Sequence, residues 1–391
     1  MLNTSLSPWP SFTQEEADAV SKVLLSNKVN YWTGTECREF EKEFAAFAGT
    51  QYAVALSNGT LALDVALKAM GIGAGDDVIV TSRTFLASAS CIVTAGANPV
   101  FADVDLNSQN ISTETIKVAL TPNTKAIIVV HLAGMPAEMD GIMDLAKEHN
   151  LWVIEDCAQA HGAKYKGKSV GSIGHVGAWS FCQDKIMTTG GEGGMVTTND
   201  KELWSKMWSY KDHGKSYDAV YHREHAPGFR WLHESFGTNW RMMEMQAVIG
   251  RIQLKRMPEW TARRQAHAAK LAESLGKFAS IRLIEVADYI EHAQYKFYAF
   301  VKPEHLKEGW TRDRIVGELN ARKVPCYQGS CSEVYLEKAF DNTPWRPKER
   351  LKNAVELGDT SLMFLVHPTL TDDEIAFCKE HIEAVLAEAT A

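Results

Sequence analysis

Short apolar runs alternate with amphipathic segments through the first half of the chain. The runs rich in β-branched residues are "YAVAL", "DVIVT", "NPVFADVD", "TKAIIVVH" and "LWVIED", all between residues 52 and 156. Strands that are apolar throughout are typical of a sheet buried on both faces, and strand–helix alternation is typical of parallel strands. The pattern predicts a large α/β domain with a mostly parallel sheet flanked by helices.

Helical periodicity accounts for the segments between these strands. Helices are predicted to begin near Leu61 and to cover residues 87–95. In "AEMDGIMDLAKEHN", apolar residues recur at helical spacing, which predicts a crossover helix before "LWVIED". Its apolar positions are Met139, Ile142, Met143 and Ala146.

The second half of the chain is less regular. Glycine-rich turns with short strands at "AWSF" and "MVTT" lead into a long polar and aromatic stretch over residues 213–236. Loops of that length are usually functional or cross to a neighbouring subunit. A basic helical segment then starts near Pro258, followed by a strand in "KFYAFV" and a helix over residues 312–320.

Two capping boxes mark further helices. Thr371 and Glu374 begin a final helix whose apolar face contains Ile375, Cys378, Ile382, Val385 and Leu386, and Thr13 and Glu16 begin an N-terminal helix. We expect a large domain over residues 1–257 and a smaller C-terminal α+β domain over residues 258–391. The N-terminal helix could belong to either.

Composition narrows the function. The 391 residues carry a net charge of −8, which disfavours nucleic acid and anionic membranes as partners. The seven cysteines form no CxxC pair, and their scattered, mostly apolar settings are typical of reduced thiols. No signal peptide or membrane-spanning run is visible, so we expect a cytoplasmic enzyme that acts on small molecules.

Common ligand motifs are absent or incomplete. There is no GxxxxGK[ST], and the glycines of "GSIGHVG" do not have the spacing of a dinucleotide loop. His222 and His225 have the spacing of a metal-ligand pair but lack a nearby third ligand. We therefore predict no metal site.

A strand-to-helix junction in "VALSNGTLALDVAL" is suited to phosphate. Free N–H groups at a helix start bind anions, and Gly59 permits close approach. The alternative is an ordinary helix cap by Ser57 or Thr60.

Two carboxylates and one lysine complete the candidate chemistry. Glu155 and Asp156 end an apolar strand, at the edge where ligands of α/β sheets bind, although Asp156 could simply cap the next turn. Lys185 lies among hydroxyl and glycine residues in "SFCQDKIMTTGGEGG", although a solvated lysine is the ordinary interpretation. Together, a lysine amine, a strand-end acid and a phosphate loop are what pyridoxal 5'-phosphate (PLP) requires.

In the order of these motifs, the sequence resembles the PLP-dependent sugar-nucleotide aminotransferases of the DegT/StrS group. The resemblance runs from "FEKEFAAFAGTQYAVALSNGTLALDVAL" through "VIEDCAQAHG" and "SFCQDKIMTTGGEGGMVTTND" to "GTNWRMMEMQAVIGRIQL". It implies fold type I of the PLP-dependent transferases, with active sites shared in a homodimer. The chain departs from the family pattern at Cys326, Tyr327 and Leu365, which lie toward the sugar.

The resemblance also implies roles for individual residues. Lys185 would bind the cofactor covalently, and Asp156 would contact the pyridine nitrogen. Gln159 would meet the ring oxygen, and Phe85 would lie against the ring. The phosphate would be held by Ser180, by the backbone of Gly59 and Thr60, and by Asn239 of the neighbouring subunit.

The expected reaction transfers an amino group from L-glutamate to a nucleotide-linked keto sugar. The amino-acid sequence as a whole most resembles those of enzymes that aminate position 4 of a UDP-linked 4-keto-6-deoxy-N-acetylhexosamine for surface polysaccharides or glycans. Amination at position 3, or of a dTDP- or GDP-linked sugar, stays open. A sugar dehydratase of the same fold would have histidine in place of Lys185, and a ligand sensor would not need Lys185 and Asp156 together.

Overall fold

The computed structural model describes residues 6–228 and 230–391. Its strands are β1 (Tyr52–Leu56), β2 (Asp77–Thr81), β3 (Asn98–Ala102), β4 (Thr124–Val130), β5 (Trp152–Asp156), β6 (Lys164–Tyr165), β7 (Lys168–Ser169), β8 (Val176–Ser180), β9 (Gly194–Thr198), β10 (Ile281–Leu283), β11 (Ile290–Glu291), β12 (Phe297–Val301), β13 (Cys326–Tyr327) and β14 (Ser361–Phe364). Its α-helices are α1 (Gln14–Leu25), α2 (Glu36–Ala48), α3 (Gly59–Ala69), α4 (Ala87–Thr94), α5 (Thr113–Ala119), α6 (Met139–Glu148), α7 (Lys201–Tyr210), α8 (Tyr217–Tyr221), α9 (Glu244–Leu275), α10 (Arg312–Ala321), α11 (Lys352–Thr360) and α12 (Asp372–Ala389).

A seven-stranded sheet in the order β1-β9-β8-β5-β4-β2-β3 forms the larger layer. Strands β3, β2, β4, β5 and β8 pair in parallel, whereas β9 is antiparallel to both of its neighbours, β8 and β1. Strand β1 therefore runs in the same direction as β8. The predicted mostly parallel α/β sheet is confirmed.

Both faces of this sheet are buried, as its apolar strands predict. Val78 and Val80 of β2 belong to one hydrophobic cluster, and Ile79 between them belongs to another. Successive side chains of a strand point to opposite faces, so helices must cover the sheet on both sides. Helix α6 is the predicted crossover, with Met139, Ile142 and Ala146 buried.

A second, antiparallel sheet has the order β10-β12-β14-β13. It packs with α10 and α12 around one apolar cluster. The final helix has the predicted capping box of Thr371 and Glu374. Five residues of its predicted apolar face are buried: Ile375, Cys378, Ile382, Val385 and Leu386.

A continuous helix, α9, connects the regions of the two sheets. It begins at Glu244, well before the start that the sequence predicts near Pro258, and it contains Pro258 in its interior. The predicted boundary between residues 257 and 258 falls inside this helix, and the division into two domains stays a prediction. Helix α1 has its predicted capping box and packs on α9, where Arg256 bonds Glu15 and Glu16.

Within its described residues, the stretch over 213–236 contains one short helix, α8, and is otherwise irregular. Two large apolar side chains of this stretch, Trp231 and Phe236, are 93% and 99% exposed. Within the described residues, no helix has the length and apolarity needed to cross a membrane.

Candidate active site

The candidate site lies at one edge of the large sheet. Strands β1, β5 and β8 run in the same direction, so the residues that follow them meet at a common edge. Asp156 ends β5, Ser180 ends β8, and Gly59 begins the helix after β1. Ligands of α/β sheets bind at this carboxyl edge.

The start of α3 offers backbone donors. Its cap is Asn58, whose Oδ1 accepts a hydrogen bond from the Leu61 N–H at 3.0 Å. The alternative cap by Ser57 or Thr60 is therefore wrong. The Ser57 hydroxyl instead donates to the Trp240 carbonyl at 3.0 Å, a partner distant in the sequence.

The first residue of α3 packs closely against the end of β8. Gly59 and Thr60 are the first two residues of the helix, where backbone N–H groups have no partner inside the helix. A Cβ atom added at Gly59 would lie 2.5 Å from Cβ and 2.9 Å from Oγ of Ser180. Glycine is therefore required for this close approach, which places the start of α3 next to the Ser180 hydroxyl.

Asp156 is buried at the end of β5, next to α4. Its Oδ2 accepts a hydrogen bond from the Ser88 hydroxyl at 2.8 Å, and its Oδ1 accepts one from the Ala158 N–H at 3.1 Å. Burial raises the pKa of Asp156 above its usual value, while the Ser88 and Ala158 hydrogen bonds and the Lys185 charge oppose that rise. A cation that contacts this carboxylate would compensate for its burial.

Glu155, the neighbouring carboxylate, has a structural role. Its oxygens accept hydrogen bonds from the N–H groups of Gly171, Ile173 and Gly174 and contact His131 Nε2 at 2.9 Å. Glu155, His131 and Cys157 place potential metal-ligand atoms within 4.8 Å of one another. Because the carboxylate is already fully engaged with backbone donors, we assign this cluster to the fold.

Lys185 follows β8 and is only partly accessible. Its side chain is 16% exposed, and its Nζ lies 3.6 Å from Oδ1 of Asp184. The other carboxylate oxygen of Asp184 accepts a hydrogen bond from the buried Tyr295 hydroxyl. On the other side, Trp9 donates its indole N–H to the Lys185 carbonyl at 2.8 Å. These contacts hold both the side chain and the backbone of Lys185.

The remaining predicted site residues occupy different environments. Phe85 precedes α4 and is 70% exposed, so its ring is available to a ligand. Gln159 accepts a hydrogen bond from the Ala133 N–H through Oε1 at 2.8 Å, which leaves its amide N–H₂ group free to donate. Asn239 is exposed and forms a backbone bridge with Asp212.

These groups fit PLP. A phosphate matches the donors of Gly59, Thr60 and Ser180, because helix-start N–H groups and hydroxyls bind anions. A protonated pyridine nitrogen matches the buried carboxylate of Asp156, and an aldehyde matches the amine of Lys185.

Three contacting residues were missed by sequence reasoning: Ser88, Asp184 and Tyr295. Ser88 lies three positions after Phe85, and Asp184 directly precedes Lys185, so both had a signal in their proximity to predicted residues. Tyr295 had none, because 111 residues separate it from Asp184.

Comparison with known proteins identifies the group to which this arrangement corresponds. A model of the DegT/DnrJ/EryC1/StrS aminotransferase family matches residues 10–383. An aminotransferase from Psychrobacter cryohalolentis, known from an X-ray structure, is 65% identical. Its TM-score is 0.96, and the match covers 98% of this chain and 99% of that one.

Two curated relatives carry more specific names. GDP-perosamine synthase of Escherichia coli O157:H7 is 42% identical over 377 residues, which is 95% of this chain and 96% of the relative. The UDP-N-acetyl-3-dehydro-α-D-glucosamine 3-aminotransferase of Acidithiobacillus ferrooxidans is 42% identical over 363 residues, which is 91% of this chain and 90% of the relative.

Proposed function

The chain belongs to the DegT/DnrJ/EryC1/StrS aminotransferase family, a PLP-dependent family, and we propose that it aminates a nucleotide-linked keto sugar with L-glutamate as the amino donor. One observation carries this proposal. A partly accessible lysine, Lys185, lies at the same sheet edge as a buried carboxylate, Asp156, and the first two N–H groups of α3, which the Asn58 side chain does not bond. The names of relatives, which include a GDP-linked and a UDP-linked sugar, support the substrate class.

Each site residue has a proposed task. PLP, when bound, supplies a carbonyl carbon that accepts an amine and a ring that withdraws electrons. Lys185 binds it covalently and, once its Nζ is free, moves a proton away from the α-carbon of the donor. Asp156 holds the proton of the ring nitrogen, so the negative charge that develops during proton transfer meets a preorganised cationic ring.

The other residues hold the cofactor in place. Ser180, Gly59 and Thr60 bind the phosphate, and Phe85 packs against the ring. The Ala133 N–H donates to the side-chain oxygen of Gln159, and this bond orients the N–H₂ group of Gln159 as a donor to the ring oxygen. We further propose a homodimer with shared active sites, in which Asn239 reaches the phosphate of the neighbouring subunit.

For the acceptor, we propose position 4 of a UDP-linked 4-keto-6-deoxy-N-acetylhexosamine that is used for surface polysaccharide or glycan synthesis. The competing acceptors are 3-keto sugars and dTDP- or GDP-linked sugars. A panel of such keto sugars, incubated with glutamate and the enzyme, separates these acceptors. Mass spectrometry and NMR of the product identify the aminated position.

The lysine assignment is tested with Lys185→Ala. We expect the wild-type enzyme loaded with PLP to be yellow, and the variant to lose both the visible absorption band and glutamate-dependent turnover. Lys125→Ala is the matched control, because Lys125 is exposed near the start of β4, away from the carboxyl edge. Full transaminase activity in Lys185→Ala would refute the proposal.

A further inference from the structure

A cavity of about 780 Å³ is lined by Asp184, the residue that precedes Lys185. Its walls come from the N-terminal segment over residues 6–12, from the loop around Lys185, and from the second half of the chain. The lining residues that matter here are Trp9, Asp184, Lys296 and His367. This volume is in the range of small-molecule sites, and far exceeds what a few ordered waters occupy.

One wall of the cavity carries the ammonium group of Lys296. Among the residues that the structure describes, none gives Lys296 Nζ a hydrogen bond or ion pair, and the group lies 4.8 Å from the centre of the Tyr295 ring. Burial lowers the pKa of Lys296 to about 8, with Asp184 opposing that change and Arg264 and Lys185 adding to it. Lys296 is therefore mostly charged at neutral pH.

A second cation lies behind the cavity wall. Arg264 is buried, its guanidinium carbon lies 5.0 Å from the Trp9 ring centre, and its Nη1 donates to the Tyr295 carbonyl at 3.3 Å. Its Nε and Nη2 atoms have no hydrogen-bond partner in the described part of the chain. Trp9 therefore contacts this partly satisfied guanidinium and also lines the cavity.

The charges around the cavity do not balance. Lys296 and Arg264 are cationic, whereas burial lowers the pKa of His367 to about 3 and keeps its ring neutral. Asp184 is the carboxylate that lines the cavity, and it is already bonded by Tyr295 and close to Lys185. Buried charges are costly unless they are paired, so an anion in the cavity would stabilise this arrangement.

We propose that this cavity binds an anionic oxygen group of a substrate and that Lys296 is the residue that contacts it. The inference rests on the proposed function, which supplies two sources of such a group: a carboxylate of L-glutamate and the diphosphate of the sugar nucleotide. Lys185 Nζ lies 5.4 Å from the centre of the same Tyr295 ring that Lys296 approaches. Both amines therefore approach one aromatic ring, and their separation is one that a single small molecule can span.

The test uses the PLP-loaded enzyme with Lys296→Met and Lys296→Gln, which remove the charge and keep an unbranched side chain. Because a tenfold change corresponds to about 1.4 kcal/mol and charged hydrogen bonds reach that size, we expect KM for at least one substrate to rise about tenfold or more. Lys296→Arg should recover part of the loss. Lys125→Gln is the control, with unchanged KM values.

The two substrates identify the source of the anion. A rise in KM for glutamate alone assigns the carboxylate, a rise for the sugar nucleotide alone assigns the diphosphate, and a rise for both means that they use Lys296 in turn. Calorimetric titration with 2-oxoglutarate and with UDP provides a readout that does not depend on turnover, and the affected ligand should bind about tenfold more weakly to the variants.

Two outcomes separate this inference from the function on which it rests. Unchanged KM values and unchanged ligand affinities in folded, PLP-loaded Lys296 variants would overturn the inference and leave the sugar aminotransferase intact. A wild-type enzyme that binds UDP or 2-oxoglutarate but aminates no keto sugar would instead refute the proposed function. Thermal unfolding of each variant shows whether it is folded before its kinetics are measured.

Discussion

The contact between Gly59 and Ser180 can be tested by adding a single methyl group. In Gly59→Ala, the new Cβ would lie 2.5 Å from Cβ, 2.9 Å from Oγ and 3.0 Å from Cα of Ser180. Carbon atoms in contact prefer separations of about 3.5–4.0 Å, so the start of α3 and the end of β8 must separate by roughly 1 Å. Overpacking of this kind costs about 1–3 kcal/mol.

This displacement acts on the groups that we expect to bind phosphate. The N–H groups of Gly59 and Thr60 and the hydroxyl of Ser180 would move apart, and hydrogen bonds weaken steeply when their geometry is lost. A hydrogen bond to a charged group contributes about 1.5–3 kcal/mol, so the loss of one corresponds to a roughly 10- to 150-fold loss of affinity. We expect PLP to bind Gly59→Ala that much more weakly in an absorbance titration of the apo-protein.

Gly317→Ala is the matched control. Gly317 lies within α10, and a Cβ atom there would meet no atom within 4 Å. Alanine should stabilise this helix by about 0.5–1 kcal/mol, with PLP affinity unchanged. Wild-type PLP affinity together with a wild-type melting temperature in Gly59→Ala would refute the contact and the phosphate site built on it.

Two further predictions concern the adjacent carboxylates of β5. Burial raises the pKa of Asp156 in the folded state, so the charged carboxylate destabilises the folded protein above the unfolded-state pKa. Asp156→Asn should therefore raise the melting temperature of the apo-protein at pH 7, and this gain should vanish toward pH 3.8. The same substitution should lower transaminase turnover by roughly 100-fold or more. Burial would raise the pKa of Glu155, but His131 and the N–H donors of Gly171 and Gly174 lower it overall, so its contribution to stability is present above pH 4.5 and is lost below it. Glu155→Gln should cost about 3–5 kcal/mol in urea unfolding at pH 7 and flatten the acid dependence, whereas a wild-type unfolding curve would contradict the assigned role.

The apolar run predicts the strand that carries these two carboxylates but does not by itself distinguish them; the family resemblance alone selects Asp156. Both follow the same apolar run, at the edge where α/β sheets bind ligands. The structure separates them because successive side chains of a strand point to opposite faces. Asp156 meets Ser88 on one side, and Glu155 meets the backbone turn at residues 171–174 on the other. Tertiary packing, which the strand pattern does not contain, therefore decides which face of the sheet carries the candidate site.

Local signals were reliable where the interaction itself is local. The capping boxes of α1 and α12 join residues three positions apart, and both are present. The alternative in which Ser57 caps α3 is wrong because its hydroxyl has a competing partner, the Trp240 carbonyl, 183 positions away. No local pattern contains that information. The Tyr295 bond to Asp184 was not predicted for the same reason.

The convergence of the phosphate donors depends on the direction of one strand. The run "MVTT" indicates that β9 exists, but a strand pattern does not specify its direction or neighbours. Because β9 lies antiparallel between β8 and β1, the carboxyl ends of those two strands lie at the same edge. Gly59 and Ser180 can touch only in that arrangement. The glycine is therefore explained by the topology of the sheet, which makes its substitution a test of strand order as well as of cofactor binding.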